Sequence, residues 1–307
     1  MNTQHPVDAK VRISKDGPYL VSGDLPLRKE IIGTNDAEES TKWQPGQEYP
    51  AKAQYALCRC GHSATKPFCD GSHAKVGFDG TETASRKPYL EQADVIRGPT
   101  MSLTDVEGLC AFARFCDPHG KVWNLVNETD EPAASKRFVS QTCACPSGRL
   151  VAWDNATGKP IEPAFAPSIG LIEDPAQRCS GPIWLRGGVQ VIGADGFEYE
   201  IRNRVTLCRC GASKNKPFCD SSHHDIGFSA TGEPPTGKAD MLPVRDGTLA
   251  IVPELDGPLQ VRGNLEIISG TGRVVARVTN AKLCRCGGSA NKPFCDGTHA
   301  RIGFKSN

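Results

Sequence analysis

Leu57-Cys58-Arg59-Cys60-Gly61-His62-Ser63-Ala64-Thr65-Lys66-Pro67-Phe68-Cys69-Asp70-Gly71-Ser72-His73, running on to Gly77-Phe78, decides how the rest of the chain reads, because it occurs three times. It returns without a gap at 207–228 and 283–304. Of its 22 positions, 14 are identical in all three copies, every Cys and the last His among them. Repetition on this scale marks an architecture built from like units.

Each copy reads Cys-x-Cys, eight residues, Cys, three residues, His. On extended backbone, Cys58 and Cys60 point to the same side. On a helical turn, Cys69 and His73 share a face. Pro67 suits a loop or first-turn position just before them, where a missing N–H costs little. The spacing describes two pincers, each able to hold one metal ion. A lone zinc usually takes its cysteines at wider spacing, as Cys-x2–4-Cys. Two pincers, with two ligands per iron, suit a two-iron cluster better. A zinc or purely structural Cys/His knot is the competing reading.

The string Cys-Asp-Gly-Ser-His at 69–73 makes the chain resemble the CDGSH iron–sulfur, or NEET-like, family. The family pattern, Cys-x-Cys-x2-Ser/Thr-x3-Pro-x-Cys-Asp-Gly-Ser/Ala/Thr-His, matches the first cassette throughout. The third matches with Thr298 in the Ser/Thr slot. The second departs once, with Ser221 in place of Gly, which is expected to alter the local backbone and not the ligation. The resemblance implies one [2Fe–2S] cluster per cassette, the close Cys pair on the inner iron and the third Cys with the His on the outer, more exposed one. Carried over, the ligands are Cys58, Cys60, Cys69 and His73; Cys208, Cys210, Cys219 and His223; and Cys284, Cys286, Cys295 and His299. Exchanging a thiolate for neutral imidazole makes reduction easier. Because imidazole titrates near neutrality, a pH-dependent potential is expected as well.

The repeat is longer than the cassette. Gly17-Pro18, Gly181-Pro182 and Gly257-Pro258 each open a unit that ends at the Gly-Phe after the His. Units two and three span 48 residues and unit one 62, so unit one carries 14 extra residues, placed within Arg28–Pro50. Phe197, Tyr199 and Ile201 alternate with charged residues after Asp195-Gly196, which predicts a turn and a strand. The expected fold class is α+β and β-rich: three small NEET-like β units, each with a cluster loop and a short helix. NEET-like units pair to complete a β layer. The matched lengths lead us to expect either that repeats two and three pair within the chain or that one unit pairs across a homodimer.

Between repeats one and two, Cys110 and Cys116 form Cys-x5-Cys, residues 131–142 read as a helix with Ala133, Ala134, Phe138 and Val139 apolar, and Cys143-Ala144-Cys145-Pro146 follows. Bacterial ferredoxins use Cys-x2-Cys-x2-Cys with a remote Cys-Pro. Here Ala113 holds the central position. The segment resembles a divergent single-cluster ferredoxin, a small α+β domain. Three thiolates suit [3Fe–4S], and Cys143 as a fourth would give [4Fe–4S]. Cys179 is remote, and His119 reads as an exposed loop residue. His62 and His224, off the ligand positions, read as surface.

The resulting domains are 1–91, a CDGSH-type domain; 92–176, the ferredoxin-like domain; 177–232, the second CDGSH-type domain; 233–246, a linker; and 247–307, the third. Gly80 to Gln92 reads as a further polar linker. Lys66, Lys216 and Lys292 are expected either to set positive charge near a cluster or to be solvated. Asp70, Asp220 and Asp296 are expected to cap the short helix.

Composition narrows the function. The net charge of +1 gives no general reason to expect nucleic acid or an anionic membrane. No run of about 18 apolar residues predicts a membrane span. Met1 to Pro6 does not read as a secretory signal. The chain has 14 Cys, 32 Gly and 23 Pro. Without an export signal, so many Cys argue for metal ligation over disulfides, and for a cytoplasmic protein. No dinucleotide loop, phosphate loop or nucleophile elbow is present, so no enzyme is expected. The expected role is electron transfer with a redox partner protein. The alternative is donation or storage of clusters for an apo iron–sulfur acceptor.

Overall fold

Alternation of apolar and polar residues sets the strands. In the computed structural model, which describes residues 9–50, 52–230, 242, 244, 246–268, 274–289 and 291–306, Val11 and Ile13 are buried on β1 (Lys10–Ile13) while Lys10 and Arg12 are not. Repeat one continues through β2 (Tyr19–Ser22), β3 (Leu27–Thr34), β4 (Ser40–Glu48) and β5 (Gln54–Leu57) to the one-turn helix α1 (Ser72–Lys75). Its extra residues fall in the β3–β4 hairpin. The insert follows, with β6 (Asp94–Arg97), β7 (Met101–Asp105), α2 (Val122–Leu125), α3 (Pro132–Ala144), β8 (Leu150–Asp154) and β9 (Pro160–Ile161). Helix α3 covers the segment expected to be helical and buries Ala134 and Phe138. Repeat two holds β10 (Ser168–Asp174), β11 (Cys179–Arg186), β12 (Gln190–Ile192), β13 (Arg204–Leu207) and α4 (Ser222–Asp225). Repeat three holds β14 (Ala250–Pro253), β15 (Leu259–Ile268), β16 (Val274–Leu283) and α5 (Thr298–Arg301). The fold is β-rich, with several small sheets and few helices.

The chain forms two compact units, which divide after Ala230. In the first, repeats one and two exchange strands. β12 joins β1 in parallel to give the order β12-β1-β2-β5, and β3 joins β10 in parallel to give β13-β11-β10-β3-β4. One continuous core results, with Val11, Tyr19 and Leu57 from repeat one against Ile169, Leu185 and Leu207 from repeat two. This corrects the expectation that repeats two and three pair within the chain. What pairs is the open edge of a first strand with a lent third strand, and repeat length does not enter.

The segment after the Asp195-Gly196 turn also departs from expectation. Glu198 makes a single bridge to Ile192, and 197–201 forms no strand. Its side chains are engaged elsewhere: the Tyr199 hydroxyl donates to Glu82 at 2.9 Å and Asp195 pairs with Arg86 at 2.6 Å. The stretch read as a first linker therefore lies along repeat two, where the amides of Thr83 and Ala84 both donate to Lys216 O at 2.8 Å. Met1 to Pro6 and, apart from Leu242, Val244 and Asp246, the second linker lie outside the described residues. No helix among the described residues is long and apolar enough to cross a membrane.

The second unit contains the three-stranded sheet β14-β15-β16. Strand register identifies equivalent residues: Val11 opposite Val21, Ile169 opposite Leu185, Ile251 opposite Val261. Val11 and Ile169 are 1% and 0% exposed, and Ile251 is 59% exposed. β1 and β10 each carry a strand lent by the other repeat; among the described residues β14 carries none.

Candidate metal centres

Each cassette begins where a strand ends and folds back on it. Leu57 bridges Phe68, Leu207 bridges Phe218 and Leu283 bridges Phe294. The first Cys amide donates to the carbonyl of the Pro, and the third Cys amide donates back to the residue before the Leu, at 2.7–2.9 Å in all three copies. This short ladder sets the two pincers side by side. The close pairs have Sγ–Sγ distances of 3.8 Å (Cys58–Cys60), 3.8 Å (Cys208–Cys210) and 3.9 Å (Cys284–Cys286). The outer pairs have Sγ–Nδ1 distances of 3.4 Å (Cys69–His73), 3.3 Å (Cys219–His223) and 3.2 Å (Cys295–His299). Amides point at the sulfurs, as from His62 to Cys60 and Gly71 to Cys69, both at 3.4 Å. Among the described residues no three such side chains converge on one ion. The donors lie as pairs, which fits a two-iron cluster better than a single zinc.

The insert gathers a second kind of site. Burial pushes the Cys116 thiol up to about 12, and nearby Asp117, Cys145 and Cys110 add to the effect. Arg149, paired with Asp105 at 2.6 and 2.9 Å, also reaches the Cys110 thiol. Cys145 Sγ lies 3.5 Å from Ser147 Oγ. Cys143 points elsewhere: its Sγ lies 3.6 Å from Ile161 O, and the charges it feels are Arg204 and Glu162. Ala113 is buried at the position of the missing central ligand. Cys179 is buried on β11, its thiol pushed up to about 12 by burial, and His119 is exposed.

Residues 16–74, 180–224 and 256–300 match a family model described as iron-binding zinc finger CDGSH type, and residues 96–155 match one described as divergent 4Fe-4S mono-cluster. The chain carries three CDGSH-type domains around an inserted ferredoxin-like one. It is an iron–sulfur protein. No curated protein matches it.

The CDGSH loops share their supports. Ser63, Ser213 and Ser289 are buried, and each hydroxyl donates to the carbonyl of the following Phe at 2.6–2.8 Å. Asp70 accepts from the Ser72 and Ala64 amides at 2.9 and 2.7 Å, tying the cap of α1 to the loop; Asp220 does the same with Ser222 and Lys214. Asp296, one residue ahead of the α5 N-cap Gly297, accepts from the Thr298 amide at 3.0 Å. The lysines close the loop: Nζ of Lys66, Lys216 and Lys292 donates to the Ser63, Ser213 and Ser289 carbonyls at 2.6, 2.7 and 3.0 Å. Ser221 keeps the left-handed backbone of its glycine counterparts, with φ 74° against 85° at Gly71 and 81° at Gly297. The expected change of backbone there does not occur, because the pairing on either side of the turn fixes it.

The residue the motif reading passed over is the Arg between the close cysteines. Alternation along extended backbone sends it to the opposite side from the thiols. Arg59 donates to the Ser14 and Gly80 carbonyls and lies 5.5 Å over the Phe78 ring. Arg209 donates to Gly181 O at 2.9 Å and Ile172 O at 2.8 Å, pairs with Glu173 at 3.0 Å, and lies over Phe228. Arg285 donates to the Gly257 and Glu254 carbonyls and lies over Phe304. In repeats two and three the guanidinium thus fastens the closing Gly-Phe to the opening Gly-Pro, and in repeat one it ties Phe78 and Gly80 to Ser14, just ahead of Gly17. Its identity in all three copies, between two ligands, was the available signal.

Removing one partner of a buried ion pair costs about 3–5 kcal/mol, and Arg209 and Glu173 are both buried. All four Trp, at 43, 123, 153 and 184, lie in the first unit. Arg209→Ala is therefore expected to lower the urea midpoint followed by tryptophan fluorescence, and Arg285→Ala to leave it in place. An unshifted midpoint in Arg209→Ala would show that the fastening contributes nothing.

Proposed function

We propose that this chain is an electron-transfer protein with one [2Fe–2S] cluster in each CDGSH domain and, in the insert, a [3Fe–4S] cluster in place of the [4Fe–4S] cluster that the matched family model describes. The supporting observation is the donor arrangement. Cys58, Cys60, Cys69 and His73, with their counterparts in repeats two and three, supply two adjacent pairs, all from protein, leaving no position for a substrate. Cys110, Cys116 and Cys145 supply three thiolates, and Cys143 stands aside. Such clusters supply one-electron exchange. The surrounding residues supply a fixed, partly desolvated setting: buried Cys58, Cys60, Cys208 and Cys210 face inward, and burial chiefly holds the His223 imidazole down at about 4. Asn215 Nδ2 donates to Gly108 O at 2.8 Å, which brings the insert's cysteine loop against the cassette of repeat two.

Iron and sulfide analysis of the purified protein, with EPR in both oxidation states, tests this. About nine irons per chain are expected from the cluster formulae, with an oxidised-state signal from the insert, and Cys143→Ser is expected to leave both unchanged. About ten irons, falling in Cys143→Ser, would instead place Cys143 on a [4Fe–4S] cluster.

One observation favours the second reading, cluster donation: Cys69, His73, Cys295 and His299 are all partly exposed. Mixing the holoprotein with an apo-ferredoxin in the presence of a chelator decides between the two. Direct transfer supports donation, while retained clusters with fast reduction support electron transfer.

We also infer that repeat three pairs with repeat three of a second copy. Repeats one and two cover each other's first strand, and the matching residue Ile251 is exposed on β14. Val252 on the same strand is exposed too. Sedimentation is expected to show a dimer that Ile251→Lys converts to monomer; a wild-type monomer at every concentration would end the inference.

A further inference from the structure

The three CDGSH sites have the same donors and different surroundings. In repeats one and three the outer pair is partly exposed. In repeat two Cys219 and His223 are only 3% and 4% exposed. The insert's cysteine loop lies against this pair. Asn215 Nδ2 donates to Gly108 O at 2.8 Å. The Phe112 ring stacks on His224 at 4.0 Å between centroids.

The loop is held in that position from both sides. Phe112 and Arg114 both adopt left-handed backbone, with φ 53° and 59°, a conformation that persists only where its surroundings enforce it. Arg114 pairs with Asp174 of β10 through two contacts, at 2.5 and 3.2 Å. Phe115 stacks on Trp43 of β4 at 4.8 Å, and Trp43 in turn donates to Ala144 O at 3.1 Å. The hairpin that makes repeat one longer is therefore one wall of the seat. His224 is the other sign: the same cassette position is Ala74 in repeat one and Ala300 in repeat three.

We propose that the insert caps the outer pair of repeat two, so that this site is internal and exchange with external proteins takes place at the outer pairs of repeats one and three. The proposal rests on the reading that the cassettes hold iron–sulfur clusters. It adds that three chemically equal donor sets are assigned different partners by what covers them: the insert for repeat two, an external acceptor or redox protein for the others.

The test uses the full-length holoprotein, a ferrous-iron chelator, and hydrogen exchange read by mass spectrometry on segments 69–76, 219–226 and 295–302. Iron release from the CDGSH sites is expected in two phases, two sites fast and one slower by about tenfold, the scale of one ring stack plus one hydrogen bond. Cys219→Ser should abolish the slow phase. His224→Ala, which installs the residue of the other two repeats, and Phe112→Ala should each speed the slow phase towards the fast one. Both should raise exchange at 219–226 and leave 69–76 and 295–302 unchanged. Equal release from all three sites, or a slow phase and a 219–226 segment indifferent to both substitutions, overturns the cap. Protein isolated without iron or sulfide would instead defeat the cluster reading, and the exchange pattern would still decide whether the cap exists.

Discussion

Two backbone hydrogen bonds per cassette carry the rest of this structure. The amide of the first Cys meets the carbonyl of the Pro, and the amide of the third Cys meets the residue ahead of the Leu. Eight residues of loop separate the two halves of each donor set, and loop closure alone would leave them free to drift apart. The ladder removes that freedom before any metal arrives. The Ser hydroxyl and the Lys ammonium then satisfy loop carbonyls that have no strand partner, which a partly buried loop requires. What remains for metal binding is proton release and side-chain adjustment, since the donors within each pair already lie 3.2–3.9 Å apart.

The same cassette in three settings shows how much of a site's character lies outside its ligands. Burial of repeat two's outer pair comes from residues more than 100 positions away in sequence, on the cysteine loop of the insert, which the β3–β4 hairpin backs. A neutral imidazole in a desolvated site resists protonation, because burial disfavours the charged form. Identical chemistry is thus distributed among unequal environments by one hairpin and one inserted domain.

The donors were legible in the sequence because metal ligation demands particular residue types at particular spacing, and both survive on the page. The helix at 132–144 was legible for a similar reason, its apolar residues falling on one face. Pairing was not. Which edge a strand joins depends on where its neighbour's open edge lies, and nothing local to β3 or β12 encodes that each crosses to the other repeat. Phe197, Tyr199 and Ile201 show the converse failure. Their alternation is that of a strand, yet Glu82 and Arg86 claim the neighbouring groups, and tertiary contacts override the local pattern. Arg59, Arg209 and Arg285 were in plain view and were passed over because attention to ligands skips the residue between them.

The glycine after the second Cys shows one residue meeting two separate demands. Gly61, Gly211 and Gly287 all have positive φ, at 79°, 82° and 74°, which glycine adopts freely and other residues do not. That alone accounts for its presence in each cassette. In the first unit a second demand is added. A Cβ on Gly61 would lie 2.5 Å from Cys210 O, and one on Gly211 would lie 2.6 Å from Cys60 O, so the two inner cysteine loops meet backbone to backbone with no room for a side chain. A Cβ on Gly287 meets nothing within 4 Å. The turn requirement is the same in all three, while the contact exists only where a second repeat is present to make it. The open face at Gly287 and the exposed edge of β14 are therefore two marks of one condition: repeat three has the complementary surface of a pair and, within the described residues of its own unit, no partner to occupy it.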